Sequence, residues 1–134
     1  MDPFRLSQAA LEAIVAHARA EAPAECCGML IGKDASIDEA VRATNLAESP
    51  ARFLIDPKDH IDARRAARHR GLEVLGFYHS HPTSPAQPSP TDIAEAAYPE
   101  AVHLIVSVEG GAADARLFRI ARGSAIELPL ISVE

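Results

Sequence analysis

Tyr78-His79-Ser80-His81-Pro82, followed by Asp92 within Pro88-Ser89-Pro90-Thr91-Asp92, limits the folds open to this chain more than any other stretch. Residues 73–78, Glu-Val-Leu-Gly-Phe-Tyr, are an apolar run bounded by Gly71 and Pro82 and read as a buried strand. Residues two apart on a strand share a face, so His79 and His81 aim at one point while Ser80 faces away. Asp92 falls in the first turn of the next helix, where the helix dipole favours a carboxylate. The intervening loop must fold back if Asp92 is to reach the same point. Two imidazoles and a carboxylate are zinc-compatible ligands. Three protein ligands leave open the fourth position that separates a catalytic zinc from a structural one.

A His-x-His pair is a weak signal alone, and ordinary strand histidines are the plainer reading of it. Glu25, just before the second apolar strand in Pro23-Ala24-Glu25-Cys26-Cys27-Gly28-Met29-Leu30-Ile31-Gly32, reads as a surface charge when taken alone. The combination is more specific. A Glu before a Cys-Gly strand, then His-Ser-His-Pro, then ten residues and an Asp, closely resembles the JAMM (MPN+) zinc metallopeptidase family. The match runs from about Pro23 to Asp92 and includes Cys27-Gly28 and Pro88-Ser89. The resemblance implies that His79, His81 and Asp92 bind zinc, that Glu25 is the general base for the zinc-bound water, and that Ser89 steadies the oxyanion. It also implies a mixed β-sheet flanked by helices, a deaminase-like JAMM/MPN fold of α/β (α+β) class.

The implied chemistry is hydrolysis of an amide or isopeptide bond. Zinc lowers the pKa of its water to roughly 7, and one carboxylate can take that proton and hand it to the leaving amine. The resemblance supplies the partner: a ubiquitin-like or sulfur-carrier protein cut after its C-terminal Gly-Gly, with residues 47–55 as part of the groove wall. Two other readings stay open, a non-catalytic scaffold of the same fold and a small-molecule amide hydrolase. A nucleobase deaminase is disfavoured, because its Cys-x-x-Cys pair is missing.

Bulk properties narrow the field further. At 134 residues the chain reads as a single domain over 1–134. Net charge is -6, which argues against nucleic acid as a partner. No apolar stretch approaches membrane-spanning length, and Met-Asp-Pro-Phe-Arg does not begin a signal peptide. Cys26 and Cys27 are adjacent, not a disulfide framework, so a cytoplasmic location is expected. They read as small core residues rather than nucleophiles. Oligomeric state is left open, a homodimer included.

The remaining pattern predicts elements. Residues 4–6 read as a short edge strand, and Ser7 caps a helix to about Ala20 with Leu11, Ile14, Val15 and Ala18 on one face. Strands are expected at 26–31, 40–45, 52–55, 73–81, 102–108, 115–120 and 126–130. Asp56-Pro57 opens a second helix that Gly71 ends. A third runs from Pro90 to about Ala97. Ser89-Pro-Thr-Asp92 is also a capping box, so capping competes with catalysis as the reason for both residues. Arg64, Arg65, Arg68, His69 and Arg70 read as a solvated face at a helix end. His17, His60 and His103 are not expected to be ligands.

Overall fold

The computed structural model describes residues 2–134. Ser7 shows how local chemistry sets the first boundary. It ends β1 (Phe4–Ser7), and its hydroxyl accepts a hydrogen bond from Ala10 N at 3.1 Å, capping α1 (Gln8–Glu21). The chain continues through β2 (Cys27–Lys33), β3 (Ser36–Ala43), α2 (Pro57–His69), β4 (Glu73–His81), α3 (Pro90–Glu95), β5 (Val102–Ser107), β6 (Asp114–Ala121), β7 (Ser124–Leu128) and β8 (Leu130–Val133). Asp56 caps α2 through Lys58 N with Pro57 in the first turn, and Gly71 follows the helix at φ +72°.

All eight strands form one sheet in the order β7-β6-β5-β4-β2-β3-β1-β8. β4 pairs parallel with β5, and β1 pairs parallel with both β3 and β8; the other pairings are antiparallel. The sheet is therefore mixed, as expected for an α+β fold. Period-two alternation assigns the faces. Leu30, Tyr78 and Leu104 pack with Ile14 and Ala18 of α1 on one side. Met29, Ile31 and Phe77 pack with Ala63 and Ala67 of α2 on the other. Ala86, Ile105, Phe118 and Ile120 extend that second face under the loop before α3, where Ile93 and Ala96 join them.

Three expectations need correction. β1 is not an edge strand, because β8 pairs beyond it. The run over 126–130 is two strands. Proline has no N–H for a ladder, and Pro129 marks the break between β7 and β8. Residues 52–55 form no strand; a single bridge from Asn45 to Ile55 is their only ladder contact.

Gly28 explains the small residue after Cys27. A Cβ there would lie 2.4 Å from Val41 O and 2.2 Å from Tyr78 Cε2. One obstacle is backbone and the other a ring buried to 1% exposure. Gly28→Ala is expected to destabilise the protein by about 1–3 kcal/mol, read as a lower urea midpoint at unchanged slope. An unchanged midpoint would mean that the β2–β3 ladder yields freely.

Candidate metal centre

β4 delivers the first two groups. His79 and His81 share the face of Phe77, with Ser80 on the opposite face, as period two requires. Ser80 has its own task. Its hydroxyl accepts from Cys26 N at 2.8 Å, and its backbone N–H donates to Cys26 O at 3.1 Å. These bonds clamp the residue next to Glu25 against the histidine strand. Asp92 arrives from the first turn of α3, as expected. The loop that brings it back is anchored by Ala86 in the core and by Ser107 Oγ, which donates to Ser84 O at 2.7 Å.

The three groups converge. His79 Nε2 and His81 Nε2 lie 3.3 Å apart, and Asp92 Oδ2 is 3.1 Å from the first and 3.0 Å from the second. All three side chains are buried. His81 Nδ1 lies 2.8 Å from Pro85 O, a carbonyl that can only accept, so Nδ1 carries the proton. In the neutral ring the lone pair then sits on Nε2, inside the cluster. Protons on both facing nitrogens would point at each other. A cation among the three atoms satisfies every lone pair at once, so the donor set fits a metal. Two nitrogens and one carboxylate oxygen suit zinc with a position left open.

Electrostatics at Asp92 and His79 agree with this arrangement; at His81 burial favours the neutral ring, but hydrogen bonds with Asp92 and Pro85 O outweigh it and raise the pKa. Burial opposes charge on Asp92, but hydrogen bonds with His79 and His81 outweigh it and hold the carboxyl well below its usual range. Burial lowers the pKa of His79 and favours the neutral ring that a metal requires. Asp92 also caps α3: its Oδ2 accepts from Ser89 N at 2.9 Å while Ser89 Oγ accepts from Asp92 N at 3.0 Å. Capping and ligand geometry therefore coexist in one residue rather than compete. Ser89 Oγ uses a lone pair for the cap, which leaves its proton free to donate.

Glu25 is the fourth member. It is 4% exposed, and its Oε1 is buried with no hydrogen-bond partner among the described residues. Burial pushes its carboxyl up to about 7; His81 opposes the rise and Asp92 adds to it. Its backbone is held on both sides. Glu25 N donates to Ser49 O at 2.8 Å, and Asn45 Nδ2 donates to Glu25 O at 2.9 Å. Asn45 Oδ1 accepts from Ala47 N and Leu54 N, both at 2.9 Å, so one side chain fixes the 45–55 segment against Glu25. The pattern of the sequence did not single out Asn45. Nor did it single out Phe53, whose ring stacks on His79 at 4.3 Å. An Asn at a strand end beside a Pro-containing turn was the available signal for the first; a lone Phe carries none.

Cys26 and Cys27 are buried free thiols pushed up by burial to about 11 and about 12, which disfavours the thiolate at both. His17 pairs with Tyr78 at 2.7 Å on the α1 side of the sheet, and His60 packs on Phe77 and Tyr98. Neither joins the cluster of His79, His81 and Asp92. Arg70, from the basic run, pairs with Glu39.

The profile of prokaryotic homologs of the JAB domain matches residues 7–121. The chain belongs to this JAMM (JAB/MPN) family. It is similar to desampylase of Haloferax volcanii, 40% identical over 119 residues that cover 82% of this chain and 86% of that protein. CysO-cysteine peptidase of Mycobacterium tuberculosis is 33% identical over 92% of this chain and 87% of its own length. A protein of Desulfitobacterium hafniense with a known solution structure superposes at a TM-score of 0.90 with 33% identity, covering 98% of this chain and 93% of that one.

Proposed function

We propose that the chain is a zinc-dependent peptidase that hydrolyses the amide or isopeptide bond after the C-terminal Gly-Gly of a ubiquitin-like or sulfur-carrier protein. The observation that carries this is the three-atom cluster of His79, His81 and Asp92 beside Glu25, a buried carboxylate with an unpartnered oxygen. The relatives named desampylase and CysO-cysteine peptidase support the substrate class.

His79, His81 and Asp92 would hold the zinc, which when bound would polarise the carbonyl and acidify water. Glu25 takes a proton from the attacking water and passes it to the leaving nitrogen. A carboxyl near 7 before metal binding is suited to both roles at neutral pH. Ser89 donates its free hydroxyl proton to the carbonyl oxygen as charge develops there, a contribution of about 3–4 kcal/mol in comparable sites. Phe53 keeps the His79 ring in place.

The substrate tail approaches along the 45–55 segment. β4 lies inside the sheet and the edge strands are β7 and β8, so a tail at this site cannot extend the main sheet. The alternative is the 45–55 segment, where the backbone groups of Leu54 are already bonded to Asn45 Oδ1 and Leu46 N and pairing falls to its neighbours. Leu46, Leu54 and Tyr98 are exposed around it and offer apolar contact to a partner protein.

The test is hydrolysis of a sulfur-carrier protein extended by one amino acid after Gly-Gly, read by mass spectrometry with and without chelator. Release of the added residue, abolished by chelator and restored by zinc, is the expected result. Intact carriers throughout, with zinc bound, would leave a binding scaffold as the better reading.

A further inference from the structure

A cleft of about 380 Å³ opens beside His79 and Asp92, walled by Phe53, Phe77, Tyr98 and His103. Glycines cannot fill it, so a Gly-Gly tail leaves it free for a side chain that flanks the scissile bond. Rings and small aliphatic side chains make up most of its walls. Phe77, Tyr98 and His60 sit with centroids 5.1–5.6 Å apart in edge and tilted geometries, which suits a further ring. The charged groups of its lining are already engaged: Arg52 and Glu95 with each other by two hydrogen bonds of 3.1 and 3.3 Å, and Asp92 with His79 and His81. The cleft therefore favours a neutral guest.

His103 is the exception in the wall. β5 reads Val-His-Leu-Ile-Val-Ser and all six residues are buried. His103 pairs in register with Phe77 and Phe118, two apolar partners. It is 7% exposed, and its Nε2 is buried with no hydrogen-bond partner among the described residues. An apolar residue there would remove that cost, so an unpaired imidazole in an apolar strand calls for a partner that arrives from outside.

We propose that His103 is a specificity-determining residue that hydrogen-bonds the one polar atom of an otherwise apolar, ring-sized substrate side chain seated in this cleft. The proposal rests on the reading of the chain as a peptidase, but its test does not use turnover. Toluene and p-cresol carry the same ring, and only p-cresol carries a hydroxyl. Dissociation constants are measured by NMR titration of the full chain and of His103→Leu and His103→Gln. Wild type is expected to bind p-cresol at least about fivefold more tightly than toluene, the range of one net hydrogen bond. His103→Leu is expected to lose that preference without a lower melting temperature, and His103→Gln to keep it. Equal affinities in wild type, binding of neither probe at the cleft, or a preference that survives in His103→Leu would overturn the proposal. Should His103→Leu not fold, His103→Phe takes its place with the same two readings. A chain that cleaves carriers yet shows no preference loses this inference alone; a chain that shows the preference but cleaves nothing loses only the peptidase reading.

Discussion

Glu25→Gln is expected to lower kcat for carrier cleavage by about 10²–10⁴-fold while bound zinc stays at one equivalent, the range for loss of a positioned general base. The amide is nearly isosteric with the carboxyl, so the fold around it is retained, but it cannot accept a proton. A second consequence has the opposite sign. In metal-free protein burial raises the Glu25 carboxyl to about 7 from an ordinary value of 4.5. A carboxyl raised in the folded state binds its proton more tightly there than in the unfolded chain. Its favourable contribution is complete below about 4.5, and it is lost progressively as pH rises, fully so above about 7. The metal-free Gln variant escapes this loss. It is expected to exceed wild type in stability at pH 8 by up to about 3 kcal/mol, and to show little of that advantage at pH 4. Chemical denaturation at the two pH values, with chelator present, reads the difference. A variant that stays active, or that gains nothing at pH 8, would remove Glu25 from the role of buried base.

Opposed effects of this kind would mark a group kept for chemistry at the expense of the fold. They also show why Glu25 looks ordinary in the sequence. Its position before an apolar strand is that of a surface charge. It becomes buried because Asn45 draws the 45–55 segment over it and because Ser80 ties Cys26 to β4. Those are contacts across 20 and 54 residues, beyond the reach of any local pattern.

What was legible followed local rules. Ser7, Asp56 and Ser89 cap the three helices because each is a short polar side chain ahead of a helical run. His79 and His81 share a face because strand alternation leaves no other choice, and Asp92 sits in the first turn because Ser89 and Pro90 place it there. What was not legible depended on pairing partners. Residues 52–55 are extended and apolar enough for a strand, but Asn45 Oδ1 takes Leu54 N–H and no ladder forms. The 4–6 segment is inside the sheet only because β8, from the far end of the chain, pairs with it. His103 is legible as a strand residue, but its unpaired Nε2 becomes meaningful only beside the cleft.

Asp92→Asn separates the ligand role of this residue from its capping role. Oδ2 alone accepts from Ser89 N and faces both imidazoles, and the amide oxygen of Asn can take that place and keep the bond from Ser89 N, so α3 and the loop keep their anchors. Asn loses the negative charge that balances the cation. Metal-free stability is expected to change by no more than about 1 kcal/mol, as for exchange between related hydrogen-bonded groups. Metal binding responds very differently. Zinc at a hundredfold excess over its dissociation constant stabilises wild type by about 2.7 kcal/mol, a melting-temperature rise of roughly 10 °C for a chain of this size. In Asp92→Asn that rise is expected to vanish, the zinc content after dialysis to fall well below one equivalent, and kcat/KM to drop at least about 10³-fold, because several kcal/mol of electrophilic stabilisation leave with the metal. The same experiment on Ser89→Ala is the control: it removes half of the capping box but leaves the backbone N–H that holds Oδ2, so the zinc-induced rise should remain. If instead Asp92→Asn keeps one equivalent of zinc and the full rise, Asp92 is only a helix cap. The two histidines would then bind metal with a third group from elsewhere, and Glu25, the remaining buried carboxylate beside them, would be the first residue to test.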